Sequence, residues 1–324
     1  MKLAIFGAGM IVKDFLTMIS DVPNVHLKAI LGVAADVPTM SELAQKYNIP
    51  KIYTNLDACL TDPEIDTVYI GLPNFLHYSY AKQSLYAGKN VIVEKPFVLT
   101  QDQGKELAQI AEDKDLIVVE AANNQYLNNF KQIKEDLPKL GQLKIIDCNY
   151  SQFSHRYDAF KKGRILPAFD PQKGGGALMD LNIYNIHFVT GLLGAPEKVH
   201  YYANVARGID TSGMLILEYS GIKVVCTGAK DCAAPVRTTI EGENGNIQIM
   251  GPVNILEKFD ETVSGKTKKI DQRIHQHRMF QEFVAFTKMI DTHDTEEAKK
   301  RMAHSLVVLG VVDAALKDAG IKLG

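Results

Sequence analysis

The chain has 324 residues, of which 46% are hydrophobic and 23% charged, a composition typical of a soluble globular protein with room for two domains. Its 36 basic and 38 acidic residues give a formal charge of −2, which favours neither nucleic acid nor a membrane surface as a partner. No apolar run approaches the roughly 18 residues of a membrane helix. The four cysteines lack CxxC spacing, so we expect reduced thiols and a cytoplasmic protein.

The first part of the chain alternates apolar strand patterns with amphipathic helix patterns. Such alternation predicts βαβ units and therefore an α/β fold with a parallel sheet. Thr100 is a plausible N-cap for the fourth of these helices. The predicted strands cover residues 3–6, 25–31, 67–70, 91–93 and 116–120, and the predicted helices 10–20, 40–47, 77–87 and 100–114.

The pattern changes near residue 144 to strands separated by short turns, which indicates a mostly antiparallel sheet. A β-like segment at 143–153 precedes one long helix at 177–193, and two further helices are predicted at 276–291 and 295–319. The remaining strand candidates are residues 197–206, 212–219, 222–230, 235–241, 245–250 and 253–259.

A glycine motif between the first strand and the first helix predicts a loop that binds a dinucleotide pyrophosphate. Val12 stands in the third glycine position of the usual pattern. The second strand ends at Gly32, where neither an acid nor an arginine is present, and Asp36 reaches back only if the loop curls. Both NAD and NADP therefore remain open as cofactors. The loop residues are Gly7, Ala8, Gly9, Met10 and Ile11.

Polar residues also follow the third and fourth strands, whose carboxyl ends should face the ligand crevice. Lys95 is suited to proton transfer, and Pro96 restricts it to extended conformations. Asn74 is a plausible N-cap, and the simpler role for His77 is hydrogen bonding on a helix surface. The two segments are Leu72, Pro73, Asn74 and His77 after the third strand, and Glu94, Lys95 and Pro96 after the fourth.

These motifs, with the run Gly174–Tyr184 (GGGALMDLNIY), resemble the glucose–fructose oxidoreductase and inositol dehydrogenase family, Gfo/Idh/MocA. The resemblance implies a Rossmann domain at 1–122 and an α+β domain with a large open sheet at 123–324, with the C-terminal helix packing back on the first domain. It implies NAD(P)-dependent oxidation or reduction of a sugar, polyol or cyclic diol, a homodimer or homotetramer, and a cis bond before Pro96. Tyr184 stands where many members have histidine, and in this respect the chain resembles the dihydrodiol dehydrogenase branch.

Asp180 and Tyr184 are four residues apart on a predicted helix and therefore share one face. Our hypothesis is that Tyr184 exchanges the proton, Lys95 helps the phenol to ionise, and Asp180 orients the substrate or pairs with Lys95. Lys95 as the direct acid is the alternative, and a purely structural role for Tyr184 in the core is the competing interpretation.

Position in the chain adds the remaining members of the site. Asn123 and Asn124 follow the last strand of the first domain, where polar amides can bind nicotinamide or substrate. His187 lies one turn beyond Tyr184 and either lines the pocket or packs in the core. We place Asn123 in the cofactor-binding set, and Asn124, Arg156 and His187 with the catalytic residues in the substrate-binding set; the segment around Arg156 resembles the same branch. We predict no metal, because the histidines near residue 275 lack a carboxylate or cysteine to complete a ligand set. The alternative function is a non-catalytic NAD(P)- or sugar-sensing regulator of the same fold.

Overall fold

The computed structural model describes residues 1–324, and they form two compact units. Unit 1 comprises Met1–Ala121 and Met279–Ser305, and unit 2 comprises Ala122–Arg278 and Leu306–Gly324. The chain therefore leaves unit 1, returns to it for one segment, and ends in unit 2. None of the helices combines the length and the apolar character that crossing a membrane requires.

Fourteen strands form two sheets, one in each unit. In chain order they are β1 (Lys2–Phe6), β2 (His26–Leu31), β3 (Lys51–Tyr53), β4 (Thr67–Ile70), β5 (Asn90–Glu94), β6 (Val118–Ala121), β7 (Leu143–Ser151), β8 (Lys198–Ala206), β9 (Ile209–Tyr219), β10 (Ile222–Ala229), β11 (Arg237–Gly242), β12 (Gly245–Met250), β13 (Phe259–Val263) and β14 (Lys266–Ile270).

Ten α-helices connect or cover the strands, and short 3-10 turns and one π-helical turn lie between them. The α-helices are α1 (Met10–Leu16), α2 (Val37–Tyr47), α3 (Leu56–Leu60), α4 (Asn74–Tyr86), α5 (Gln101–Asp113), α6 (Asn128–Asp136), α7 (Arg156–Lys161), α8 (Ile183–Leu193), α9 (Phe280–Asp291) and α10 (Thr295–Asp318).

The sheet of unit 1 has six parallel strands in the order β3-β2-β1-β4-β5-β6. This is the strand order of dinucleotide-binding folds, with the topological switch between β1 and β4. All four residues of β4 are buried, as expected for a strand covered on both faces. Helix α9 belongs to this unit, where the Phe283 ring lies 4.5 Å from Phe15 and 5.2 Å from Tyr69. The predicted α/β fold with a parallel N-terminal sheet is confirmed.

The sheet of unit 2 has eight strands in the order β14-β13-β12-β11-β7-β10-β9-β8. Every neighbouring pair is antiparallel except β7 and β10, which run parallel. Along β10 the buried Val224 and Cys226 alternate with the partly or fully exposed Lys223, Val225 and Thr227. One face of the sheet therefore carries the core, and the large, mostly antiparallel sheet that the sequence predicts is confirmed.

Several predicted boundaries are wrong. The first helix ends at Leu16, and a separate 3-10 turn covers Ile19–Asp21. Helix α4 begins at Asn74 itself, so Pro73 and not Asn74 occupies the N-cap position. Thr100 is confirmed as an N-cap, because its side chain accepts a hydrogen bond from the Gln103 amide. Short elements without a clear period, such as β3, α3, α6 and α7, escaped prediction.

The strand predicted at 253–259 is the clearest error, since β13 begins only at Phe259 and β14 follows it. Side-chain amides, and not a neighbouring strand, bind the carbonyls of this segment. Asn123 Nδ2 donates to Asn254 O at 2.6 Å, and Asn129 Nδ2 donates to Leu256 O at 2.8 Å. Leu256 also has a φ of +42°, which is incompatible with a regular strand.

Candidate active site

The loop between β1 and α1 carries the first glycine motif. Gly7 has a φ of +109°, and a Cβ there would lie 2.7 Å from Gly71 O. Its amide donates to Leu31 O at 2.7 Å, which ties the loop to the end of β2. Gly9 is the N-cap residue of α1, and a Cβ there would meet no atom within 4 Å. The loop thus presents backbone to open space at the start of a helix, which fits a dinucleotide pyrophosphate.

Val12 occupies the place of the third glycine and is fully buried. In the usual motif that glycine allows the helix to pack closely against the sheet. Here Gly71, which follows β4, provides the space for Val12, because a Cβ on Gly71 would lie only 2.8 Å from Val12 Cγ2. The departure from GxGxxG is therefore compatible with a dinucleotide-binding loop.

The end of β2 lies where the adenosine ribose is read in this fold. The 3-10 turn Ala34–Asp36 curls the chain back, and Asp36 Oδ2 lies 3.4 Å from the position that a Cβ on Gly32 would take. Met40 Sδ would be 2.9 Å from the same atom, so a side chain is not accommodated at Gly32 without movement. Asp36 therefore places a carboxylate beside the end of β2.

His77 lies inside unit 1 and not on a helix surface, since its side chain is fully buried. Its Nδ1 lies 2.9 Å from Pro96 O and its Nε2 2.8 Å from Leu72 O. Burial lowers the pKa of His77, although hydrogen bonds with the backbone of Pro96, Leu72 and Phe97 oppose the shift. The ring connects the segments that follow β4 and β5. The Lys95–Pro96 bond is cis, as the family resemblance implies.

Lys95 directly follows β5 and is half-buried. Two buried carboxylates bind the backbone on either side of it. Glu94 Oε1 accepts a hydrogen bond from Tyr69 Oη at 2.8 Å, while its Oε2 accepts one from the Lys95 amide at 3.2 Å. Glu120 on β6 accepts one from the Phe97 amide at 2.9 Å. These bonds determine where the lysine leaves the sheet.

In unit 2, two positions of the glycine-rich run require glycine, because other atoms of the fold lie too close for a side chain. A Cβ on Gly175 would lie 2.7 Å from Pro167 O, and one on Gly176, whose φ is +106°, would overlap the Asp210 carboxylate. Asp210 is fully buried and its Oδ2 accepts a hydrogen bond from the Leu178 amide at 2.6 Å. Burial raises the pKa of Asp210. The run therefore places the start of the following helical segment against Asp210.

That segment was predicted as one helix, but its first turn, Leu178–Asn182, is π-helical and only then does α8 begin. Such π turns are frequent at functional sites. Asn182 Nδ2 donates to Cys226 O at 2.9 Å, and Asn185 Nδ2 donates to Asn182 Oδ1 at 2.9 Å. A Cβ on Gly228 would lie 2.7 Å from Asn182 Cβ. The π turn that carries Asp180 is thus held tightly against β10.

Asp180 is 39% exposed and makes an ion pair with Lys230, whose Nζ lies 2.8 Å from Asp180 Oδ2. Lys230 itself is only 2% exposed. Its Nζ donates to Ala168 O at 2.6 Å and lies 4.5 Å from the centroid of the Phe169 ring. The sequence predicts that Asp180 orients the substrate or pairs with Lys95. The structure shows an ion pair with a different lysine, Lys230.

Tyr184, on α8, is 7% exposed, and its ring centroid lies 6.1 Å from that of Tyr150. The side-chain amides of the adjacent pair Asn124 and Gln125 hold the backbone of α8. Asn124 Nδ2 donates to Tyr184 O at 3.0 Å, and Gln125 Nε2 donates to His187 O at 2.7 Å. Asn124 and Gln125 therefore support this helix from buried positions. The part of Asn124 and His187 in substrate binding stays a prediction.

The structure brings the predicted residues together in two groups, one in each unit. Asn123 is 2% exposed and its amide binds Asn254 O, whereas Arg156 is exposed at the start of α7. The roles of both in binding stay predictions. Unit 1 contains Gly7, Ala8, Gly9, Met10, Ile11, Gly32, Leu72, Pro73, Asn74, His77, Glu94, Lys95 and Pro96, and unit 2 contains Asn123, Asn124, Arg156, Asp180, Tyr184 and His187.

Lys230 is the residue that the sequence prediction missed. A signal was present, because Lys230 directly follows β10 just as Lys95 directly follows β5. Nothing local, however, relates Lys230 to Asp180, which lies 50 residues earlier (230 − 180 = 50).

Comparison with known proteins identifies the family. The model of the oxidoreductase family with an NAD-binding Rossmann fold, Gfo/Idh/MocA, matches residues 1–122, and that of the Gfo/Idh/MocA C-terminal domain matches residues 136–248. The chain belongs to this family. It is an NAD(P)-dependent oxidoreductase, so the expected family, enzyme class and cofactor are confirmed. The scyllo-inositol 2-dehydrogenase (NADP(+)) IolU of Bacillus subtilis is 30% identical over 99% of this chain and 97% of its own length.

Other relatives agree with this assignment. A trans-1,2-dihydrobenzene-1,2-diol dehydrogenase of Xenopus tropicalis is 30% identical over 83% of this chain and 81% of its own length. Among solved structures, the 3-ketoreductase KijD10 of Actinomadura kijaniata, in complex with NADP and TDP-benzene, superposes with a TM-score of 0.83 at 18% identity, covering 97% of this chain and 98% of KijD10. That likeness shows a shared fold.

Proposed function

We propose that this oxidoreductase transfers a hydride between nicotinamide and a sugar, polyol or cyclic diol, interconverting an alcohol and a carbonyl. The observation that carries the proposal is the half-exposed Asp180 carboxylate, presented by a π turn one helical turn before Tyr184. The names of the relatives, an inositol dehydrogenase and a dihydrodiol dehydrogenase, support the substrate class.

Three side chains share the proton chemistry in this proposal. Nicotinamide supplies or accepts the hydride, and the protein must move a proton on the substrate oxygen. Tyr184 exchanges that proton, Lys95 helps the phenol to ionise through its positive charge, and Asp180 accepts a hydrogen bond from the substrate to orient it. Lys95 as the direct acid remains the alternative within the same function.

Replacement of the two proton-handling residues tests the proposal. We expect Tyr184→Phe and Lys95→Met each to lower kcat by about 10²–10⁴-fold, the usual contribution of a positioned acid or base. The cofactor affinity of Tyr184→Phe, measured by nicotinamide fluorescence, should not change. Wild-type kcat in both variants, on a panel led by scyllo-inositol and trans-1,2-dihydrobenzene-1,2-diol, would contradict the assignment.

Tyr219→Phe is a matched control, because Tyr219 is also a buried tyrosine and donates its hydroxyl proton to Gly194 O at 2.9 Å. It should keep wild-type kcat. If the unmodified enzyme binds cofactor yet turns over no member of the panel, the non-catalytic sensor becomes the better function.

We propose further that the protein is a cytoplasmic homodimer or homotetramer. Its four cysteines form no disulfide, which suits a reducing compartment. One face of the unit 2 sheet exposes large apolar side chains, including Tyr202 at 66%, Met214 at 51% and Ile145 at 44%. Apolar faces of this kind usually bind a partner subunit.

A further inference from the structure

The ammonium group of the buried Lys230 in unit 2 is surrounded by one carboxylate, one carbonyl and one aromatic ring. Lys230 Nζ contacts Asp180 Oδ2 at 2.8 Å, Ala168 O at 2.6 Å and the face of Phe169 at 4.5 Å. A carbonyl and an aromatic face solvate an ammonium only in part, and a buried charge is tolerated when it is paired. Asp180 provides that pairing.

The backbone of Lys230 is also held in place. The Lys230 amide donates to Thr211 O at 2.8 Å, and Lys230 O accepts a hydrogen bond from the Ser154 amide at 2.9 Å. The lysine therefore approaches Asp180 from a fixed anchor beyond the end of β10. A charged donor held at one carboxylate oxygen favours the ionised form of the carboxylate and fixes its orientation.

We propose that Lys230 is a positioning residue that holds Asp180 as an ionised hydrogen-bond acceptor for a substrate hydroxyl. The proposal rests on the function proposed above, in which Asp180 orients the substrate. Lys230 is too buried to contact substrate directly, whereas Asp180 is 39% exposed. Lys230 therefore acts through Asp180, and the two side chains form one functional pair.

The kinetic test is Lys230→Met, which keeps the length of the side chain and removes its charge. We expect the KM for the alcohol, scyllo-inositol or trans-1,2-dihydrobenzene-1,2-diol, to rise about 10-fold, as for the loss of a charged hydrogen bond. The KM for the nicotinamide cofactor should stay unchanged, and Lys230→Arg should restore part of the alcohol KM. A merely structural role would lower kcat with the loss of folded enzyme and leave both KM values at wild type; that result would overturn the proposal.

The pairing is tested independently of any substrate by thermal unfolding. Asp180→Asn removes the carboxylate that contacts a buried ammonium, whereas Lys230→Met leaves a carboxylate that water can reach. We therefore expect Asp180→Asn to lower Tm more than Lys230→Met does, and the double variant to be more stable than Asp180→Asn alone. Strictly additive changes in Tm would show that the two side chains are not coupled and would contradict the proposal.

Lys89→Met is the matched control. Lys89 is 8% exposed, and its Nζ donates to Asp62 O at 2.9 Å and to Ile65 O at 2.6 Å. Its replacement should lower Tm without changing either KM. Cofactor binding without turnover of any panel member by the unmodified enzyme would refute the proposed function itself. Activity lost in Lys95→Met and Tyr184→Phe, with wild-type KM values in Lys230→Met, would refute the Lys230 inference alone.

Discussion

Burial and choice of partner separate the carboxylates of the candidate site into different roles. Glu94 and Glu120 are buried and accept hydrogen bonds from the backbone around Lys95, so they hold this segment in place. Asp180 is half-exposed and ion-paired, so it is available to a substrate. The sequence predicts Asp180 from its motif, but it does not predict the partner, because Lys230 reaches Asp180 only through the tertiary fold.

Asp36 allows a prediction about the cofactor. Its carboxylate lies beside Gly32 at the end of β2. At this position of the fold we expect a carboxylate to accept hydrogen bonds from ribose hydroxyls and to repel a 2′-phosphate. We expect the protein to bind NADH more tightly than NADPH, and Asp36→Ser to reduce the difference by about 10-fold, on the scale of one charge–charge contact.

Isothermal titration with both cofactors measures this preference. Asp102→Ser is the control, since it removes the same charge from a side chain that is 94% exposed at the start of α5. Tighter binding of NADPH than of NADH by the unmodified protein would show that Asp36 does not control the preference. The name of the Bacillus subtilis relative, which specifies NADP(+), makes this comparison informative.

At the scale of elements, the sequence predicts buried strands well and irregular segments poorly. The strand at Thr67–Ile70 agrees residue for residue, because a buried parallel strand has a local apolar signature. The sequence predicts one regular helix at 177–193, whereas Leu178–Asn182 forms a π turn. Its geometry depends on Asn182 and Gly228 packing against each other, a contact between distant segments that no local pattern encodes.

Two substitutions in the glycine loop distinguish an effect on stability from an effect on cofactor affinity. Gly7→Ala should reduce the free energy of unfolding by about 1–3 kcal/mol, since it strains a positive φ and crowds Gly71 O. Gly9→Ala should change stability by less than about 0.5 kcal/mol, because its φ is −76° and its Cβ has space. Yet that methyl group would occupy the space offered to the pyrophosphate, so cofactor affinity should fall.

Urea unfolding and cofactor titration distinguish these outcomes. Gly163→Ala is the control for backbone strain alone, because Gly163 has a φ of +87° and no atom within 4 Å of its hypothetical Cβ. If Gly9→Ala binds cofactor as tightly as the unmodified protein, the pyrophosphate does not approach this loop.

At the scale of the whole molecule, each unit contains some of the residues proposed for the site. Unit 1 carries the dinucleotide loop and Lys95, and unit 2 carries Asp180, Lys230 and Tyr184. The eight-stranded sheet of unit 2 also exposes an apolar face, where Ile216 and Val225 lie opposite each other on neighbouring strands. Because exposed apolar faces usually mark interaction sites, we expect the protein to self-associate.

Light scattering tests the oligomer. We expect a dimer or tetramer at micromolar concentration, and Met214→Asp should shift it towards monomer, because it places a charge within the exposed apolar face. Tyr86→Asp is the control on the surface of unit 1, where Tyr86 is 57% exposed, and it should leave the mass unchanged. A monomeric unmodified protein would refute the assembly.

The sequence by itself determined the alternating βαβ pattern, the glycine loop, and the motifs around Lys95 and Asp180, because those signals are local in the chain. The tertiary structure alone decided that Gly71 compensates for Val12, that Asp36 folds back to Gly32, and that Lys230 pairs with Asp180. Each of these depends on close packing or charge pairing between side chains, which only the folded backbone brings within a few ångströms.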